Sequence, residues 1–356
     1  MLTEQRGNLL RAEVDALVNT VNTVGVMGKG IALQFKRAYP ENYKVYRQAC
    51  KEKRVQIGKM FVVPIQSMTK PFYVINFPTK QHWRSGSRLA DVAAGLEDLV
   101  RVLVELGIES IAVPPLGCGN GGLDWAQVYP LVAATAKSLP SVDFRVYPPE
   151  GAPGAASMPV RSKRPAMSRR RAAMLLAFER YTSLSLAAGH AIDGEFSIVE
   201  AQKVAYFLQL AGWPSAFDFV PSHYGPYAQT VNQWLSAVEG HFISGYGDGT
   251  SGSKAVLRIE DDALGEARRL MNSDLAFAEI LERFEELVHG FEFPYGVELL
   301  STVHYIIASG HPGSVTLDSV VGVLGAWSQR KARLFQPQQA KVAMDHLVSL
   351  SALDPV

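Results

Sequence analysis

The chain has 356 residues, 47% apolar and 19% charged, which fits a soluble globular protein of about two domains and leaves no uncharged run long enough to span a membrane. Two cysteines, Cys50 and Cys118, exclude a disulfide framework and a cysteine-based zinc site, and the N-terminus lacks the apolar region of a signal peptide, so a cytoplasmic setting is expected. The net charge of +1 is a cancellation of +5 in residues 1–150, +6 in 151–171 and −10 in 172–356, an asymmetry that points to nucleic-acid or protein partners.

Residues 1–152 alternate short apolar runs with helical spacing. Residues 16–20, 60–64, 72–76, 110–114 and 144–147 read as buried strands, and residues 31–53 (broken at Pro40), 89–106 and 125–138 read as helices. This predicts an α/β sandwich, a mixed sheet covered by helices, with the ligand site at the carboxyl ends of the strands. Residues 153–171, rich in Pro, Gly, Ala and Ser and ending in Arg169-Arg170-Arg171, read as a flexible basic linker. Residues 172–356 read as a mostly α-helical second domain with a small β element. Helical spacing occurs at 172–188, 199–211, 229–237, 263–271, 277–288 and 294–308, a strand pattern at 255–259, and a Gly-rich flexible loop at 245–252.

Two glycine-rich loops stand between a strand and a helix in the first domain. The first runs through Asn22, Gly25, Gly28, Lys29 and Gly30, and the second is Gly117-Cys118-Gly119-Asn120-Gly121-Gly122-Leu123. Glycines let backbone approach a ligand, and N–H groups at a helix start or in a turn bind anions. Each loop alone also reads as a structural turn; two at equivalent strand ends suggest a cleft that clamps a diphosphate. Neither is a Walker A loop. The histidines show no metal-ligand spacing, so neither metal nor cofactor is expected.

With Gly7-Asn8-Leu9 upstream, these loops resemble the macrodomain family of ADP-ribose binders over about residues 1–150. Together with Pro78-Thr79-Lys80, they are most similar to the DarG macrodomains, antitoxins of DarT–DarG toxin–antitoxin systems. The resemblance implies an enzyme that hydrolyses the N-glycosidic link between ADP-ribose and thymidine in single-stranded DNA, with ADP-ribose as product ligand and a DarT-type ADP-ribosyltransferase toxin as partner. It implies Lys80 as the catalytic residue; taken alone, Lys80 reads more readily as a solvated loop lysine. The implied binding residues are Asn8, Leu9, Thr20, Val21, Asn22, Gly28, Lys29, Gly30, Ile31, Thr79, the second loop from Gly117 to Leu123, and Tyr147 beside the adenine.

Two departures from the wider family matter. Asn8 stands where many macrodomains carry an acid that contacts the adenine, and Gly121 stands where a glutamate-ester glycohydrolase carries an aspartate. The second departure disfavours protein-ester hydrolysis, and the alternative readings are an eraser or reader of protein-linked ADP-ribose and a catalytically idle binding antitoxin. Arg84 and Arg88 are candidate contacts to DNA phosphates, and Trp83 a candidate for base stacking.

In the second domain, Glu200-Ala-Gln202-Lys203-Val-Ala-Tyr206-Phe and Tyr224-Gly-Pro-Tyr227 resemble a Panacea-type antitoxin domain. Tyr224–Tyr227 is expected to form a rigid turn into the next helix. Residues 259–298 hold eleven Asp/Glu against three Arg. This acidity suits a toxin-binding surface that steers a basic partner, and equally suits solubility.

Overall fold

The computed structural model describes residues 1–150, 158–191, 193–247, 255–310 and 316–352, and the chain divides into two compact units, 1–163 and 164–356. Part of the expected linker (153–157) and most of the expected Gly-rich loop (248–252) lie outside the described residues.

The first unit runs β1 (Leu2–Glu4), β2 (Ala16–Asn22), α1 (Gly30–Ala38), α2 (Pro40–Lys51), β3 (Phe61–Pro64), β4 (Tyr73–Lys80), α3 (Leu89–Glu105), β5 (Ser110–Val113), α4 (Trp125–Ser138) and β6 (Asp143–Val146). The sheet order is β1-β6-β5-β2-β4-β3, parallel throughout except for β3, which runs antiparallel to β4. The predicted α/β sandwich is therefore a six-stranded mixed sheet, with β1 the one strand the apolar runs did not reveal. One apolar cluster, including Val18, Phe77, Leu99, Ile111, Val128 and Phe144, packs one sheet face against α3 and α4. Two smaller clusters around Phe35 and Tyr46 cover the α1 and α2 side.

Three neighbouring parallel strands, β5, β2 and β4, end side by side, and each feeds a loop at the same edge. Such strand ends are where open α/β sheets bind ligands. A buried amide network holds two of the strands: Asn19 Nδ2 donates to Asn76 Oδ1 at 3.0 Å, and Asn76 Nδ2 donates to Asn42 Oδ1 at 2.7 Å. Buried amides need partners, so β2, β4 and α2 are fixed relative to one another through this network.

The second unit runs α5 (Arg169–Ala187), β7 (Phe196–Ser197), α6 (Ile198–Leu210), β8 (Val220–Ser222), β9 (Gly225–Tyr227), α7 (Gln229–Val238), β10 (Ile243–Ser244), β11 (Val256–Ile259), α8 (Asp261–Met271), α9 (Leu275–Val288), α10 (Pro294–Ser309), α11 (Leu317–Trp327), α12 (Gln329–Leu334) and α13 (Pro337–Ser349). Helices surround one apolar core, with a three-stranded and a two-stranded sheet beside it. Tyr224–Tyr227, expected as a turn, instead closes a hairpin: β9 pairs antiparallel with β8. Gly225 has φ +91°, and a Cβ there would lie 2.5 Å from Thr302 Oγ1, so the hairpin needs glycine at this point.

Residues 158–171 of the basic segment make contacts within their own units. Arg161 N donates to Arg37 O at 2.8 Å, and its guanidinium lies 5.5 Å from the Tyr39 ring centre. Arg164 pairs with Asp262 and Glu266, and Arg169 with Asp274. Arg180 on α5 likewise pairs with Glu285. The positive charge read as linker thus answers part of the acidic run at 259–298.

Candidate functional site

Lys80 is the last residue of β4, level with Asn22 at the end of β2. The register slips there: Val21 faces Pro78 and Asn22 faces Lys80, leaving Thr79 as the extra residue of a bulge. Pro78 has no N–H to give the ladder, and a bulge bends and twists its strand. The bend places Lys80 against the second glycine loop, where its Nζ donates to Asn120 O at 2.8 Å. Partial burial holds the Lys80 amine below the usual lysine value.

The three loops interlock around that lysine. Thr23 in the first loop donates to Gln81 O through N at 3.1 Å and Oγ1 at 2.9 Å. Ser87 N, past β4, donates to Gly121 O at 2.8 Å. A Cβ on Gly30, at the start of α1, would sit 3.0 Å from Asn120 Nδ2, so the first loop touches the second. Helix α1 begins at Gly30 after an extended Lys29, whose own side chain makes no cap. Helix starts of this kind favour anions.

Gly121 is the tightest point. A Cβ there would lie 2.3 Å from Gly117 O and 2.3 Å from Ser87 Oγ. The missing acid at this position is therefore a steric necessity of this loop packing. Indeed, the sequence has no Asp or Glu between Asp15 and Glu41, between Glu52 and Asp91, or between Glu109 and Asp124. All three loops fall inside these acid-free stretches. The rim carries Lys29, Lys80, Arg84 and Arg88 without an answering carboxylate in the loops themselves, a setting for a polyanion. Residues 117–123 themselves hold no carboxylate base, and Asp124, which follows them, caps α4 by accepting from Ala126 N at 3.0 Å. Cys118 does not fill that role: burial and the nearby Asp124 push its thiol up to about 11, and its Sγ lies 3.4 Å from Leu116 O.

The other expected binding residues fall into two groups. Gly28, Lys29, Gly119, Asn120 and Gly122 are exposed on the loops, with Thr20, Ile31, Gly121 and Leu123 half-buried behind them. Leu9, Val21, Thr79, Gly117 and Tyr147 are buried. Tyr147 packs with Leu9, Phe35 and Tyr39, and its N donates to Val113 O at 2.9 Å. Asn8 Oδ1 accepts from Leu10 N at 3.0 Å and so caps the short helical turn that follows.

Asn22 is buried and engaged in shaping the first loop. Its Nδ2 donates to Val26 O at 2.6 Å, and its Oδ1 accepts from Val24 N at 3.1 Å. Tyr46 on α2 donates its hydroxyl to Asn22 O at 2.6 Å. Tyr46, Asn76 and Ser87 escaped the sequence reading. Their signal is a polar group standing among buried apolar neighbours, which becomes informative only when the partner is known.

In the second unit, Lys203 is fully buried and its Nζ donates to Pro226 O at 2.6 Å. Gln202 Oε1 accepts from Ala228 N at 2.9 Å, and its Nε2 donates to Ala228 O at 3.1 Å. Glu298 accepts from Arg330 through both oxygens (2.6 and 2.9 Å) and from Lys331 Nζ at 2.8 Å. The motif residues Lys203 and Gln202 therefore fasten the β8–β9 hairpin and the residue after it to α6, while Glu298 ties α10 to α12. No group of metal-ligating side chains occurs among the described residues, and no helix there is long and apolar enough to cross a membrane.

A six-stranded mixed sheet with these loops at its parallel strand ends defines a macrodomain, and a family model described as the Macro domain matches residues 18–132. Over 355 residues the chain is 45% identical to a DNA ADP-ribosyl glycohydrolase from Thermus aquaticus, covering 100% of this chain and 95% of the relative. It is 59% identical to the solved macrodomain of Mycobacterium tuberculosis DarG, covering 42% of this chain and 99% of that one, with a TM-score of 0.42. A DNA ADP-ribosyl transferase-DNA ADP-ribosyl glycohydrolase fusion protein from Thermosipho africanus is 35% identical over 158 residues, 40% of each chain. The chain belongs to the DNA ADP-ribosyl glycohydrolase (DarG) family.

Proposed function

We propose that this chain is the antitoxin glycohydrolase its family membership indicates. It cleaves the N-glycosidic bond joining ADP-ribose to thymidine in single-stranded DNA, with Lys80 as the reacting amine. The observation that carries the reading is Lys80 at the β4 terminus, partly desolvated, beside a glycine loop with no carboxylate of its own. Loss of the thymine base builds positive charge on ribose C1″ and negative charge on the base. A neutral lysine amine offers its lone pair to C1″ directly or to the attacking water, and desolvation enlarges the neutral fraction near neutral pH. The diphosphate is proposed to lie between the α1 N-terminus and residues 117–122, held by backbone N–H groups.

The second unit is proposed to bind a DarT-type toxin. The Thermosipho africanus relative, whose name couples the transferase and the glycohydrolase in one fusion protein, supports such a pairing. On α9 the exposed Glu279, Glu282 and Glu286 share one helix face with Arg283, a net-acidic strip suited to a basic DNA-binding protein.

The test is release of ADP-ribose by the full chain from two substrates, ADP-ribosylated single-stranded DNA and protein ADP-ribosylated on glutamate. Release from DNA alone is expected. Release from protein and not from DNA would overturn the reading.

A further inference from the structure

Strand β4 delivers a second feature directly after Lys80. His82, Trp83 and Arg84 form one group of planar side chains: the imidazole and indole centres lie 5.3 Å apart at 31°, and the Arg84 guanidinium lies 4.5 Å from the indole centre. The group is held. Ser85 N donates to His82 O at 3.0 Å, and Arg84 N donates to His82 Nδ1 at 3.2 Å. Both ends of the loop are tied down as well, at Gln81 by Thr23 and at Ser87 by Gly121.

Trp83 nevertheless keeps 46% of its surface exposed and belongs to none of the apolar clusters. A large indole held out on a pinned loop contributes little to the core. Its surroundings are cationic, because no Asp or Glu occurs between Glu52 and Asp91 while Lys80, Arg84 and Arg88 do. Exposed aromatic and guanidinium planes in a positive field are the means by which proteins hold unstacked nucleobases. Trp83 stands three residues from Lys80, so at most about 11 Å of extended chain separates them, the scale of a neighbouring nucleotide.

We infer that His82, Trp83 and Arg84 form a stacking subsite for a nucleobase that flanks the modified thymidine, with Trp83 as its main surface. The inference rests on the DNA reading above and adds a contact to the DNA beyond the ADP-ribosylated nucleoside. Single-stranded substrate then binds better than the isolated nucleoside, and the gain resides in this loop.

The test uses the full chain with Trp83→Ala and Trp83→Phe. Three quantities are measured: KM and kcat on an ADP-ribosylated single-stranded oligonucleotide, the same on ADP-ribosylated thymidine, and affinity for free ADP-ribose. Wild type is expected to favour the oligonucleotide. Trp83→Ala is expected to raise its KM at least about fivefold, the scale of one lost base stack, with kcat, nucleoside hydrolysis and ADP-ribose affinity unchanged. Trp83→Phe is expected to restore most of the loss. An unchanged oligonucleotide KM in Trp83→Ala, an equal loss on the nucleoside, or equal wild-type use of both substrates would overturn the subsite and leave the DNA activity standing. Wild-type failure to release ADP-ribose from any DNA would overturn the DNA reading and the subsite with it.

Discussion

Lys80 in the first unit and Lys203 in the second share one property and differ in everything else. Burial lowers the pKa of both. Lys203 is fully buried, with its Nζ on Pro226 O, the positive Lys331 nearby and no described opening to solvent. Lys80 sits half-buried at a loop rim, on one carbonyl of a glycine turn. A perturbed pKa marks stored electrostatic energy, and access decides whether that energy serves chemistry or architecture. Here Lys203 fastens a hairpin, whereas Lys80 stands at the loop edge where the ligand is proposed to lie.

That contrast can be broken from either side. The largest expected effect is at Lys80: replacing it by alanine should lower turnover by about 10²–10⁴-fold with ADP-ribose affinity retained by calorimetry. Next comes the second unit. Glu298→Gln leaves Lys331 and Arg330 short of a buried partner, which should cost about 3–5 kcal/mol in a chemical-denaturation curve. Glycohydrolase turnover should be spared, and a matching loss of turnover would break the division of labour. Gly121→Ala follows, because its methyl would collide with Gly117 O and Ser87 Oγ. ADP-ribose affinity should fall at least about tenfold, the scale of a 1.4 kcal/mol rearrangement.

Smaller effects sharpen the comparison through pH. Because Lys203 has a depressed pKa in the folded state, the unfolded chain binds its proton more readily. Stability should therefore rise with pH between the folded value and the ordinary 10.5 of lysine. Replacing Lys203 by methionine should flatten that rise in thermal melts. Glu298 gives the same sign in an acidic window: burial opposes its ionisation, but the Arg330 and Lys331 partners prevail and lower its pKa, so its stabilisation is present above the usual carboxylate value and lost as pH falls through the depressed one. Cys118→Ser should change turnover least, because a thiol pushed up to about 11 is protonated during the reaction; a large loss would assign it a chemical role.

The strands of the first unit were legible because buried parallel strands appear as continuous apolar runs, and the place of Lys80 at a strand end was legible because the run Tyr73–Phe77 leads to it; its catalytic role was read from the family resemblance and not from the strand. What sequence could not show was pairing across distance. Asn22 reads as a ligand-facing amide, yet its side chain turns back to Val24 and Val26. The Asn19–Asn76–Asn42 network and the Lys203–Pro226 bond join residues far apart in the chain. Helices α11, α12 and α13 went unread, although in α13 Ala340, Ala343 and Leu347 have helical spacing and Pro337 stands in the first turn, where proline is favoured. The Tyr224–Tyr227 hairpin was missed because a three-residue strand carries no period.

The central claim is that the neutral amine of Lys80 acts on the scissile bond. Its most direct test is the single-turnover rate of ADP-ribose release from modified single-stranded DNA, measured against pH. The rate should rise with pH and level off at a pKa below the ordinary 10.5 of lysine, and the step should vanish in Lys80→Ala. A rate that is flat, or that falls across the same range, would contradict the account.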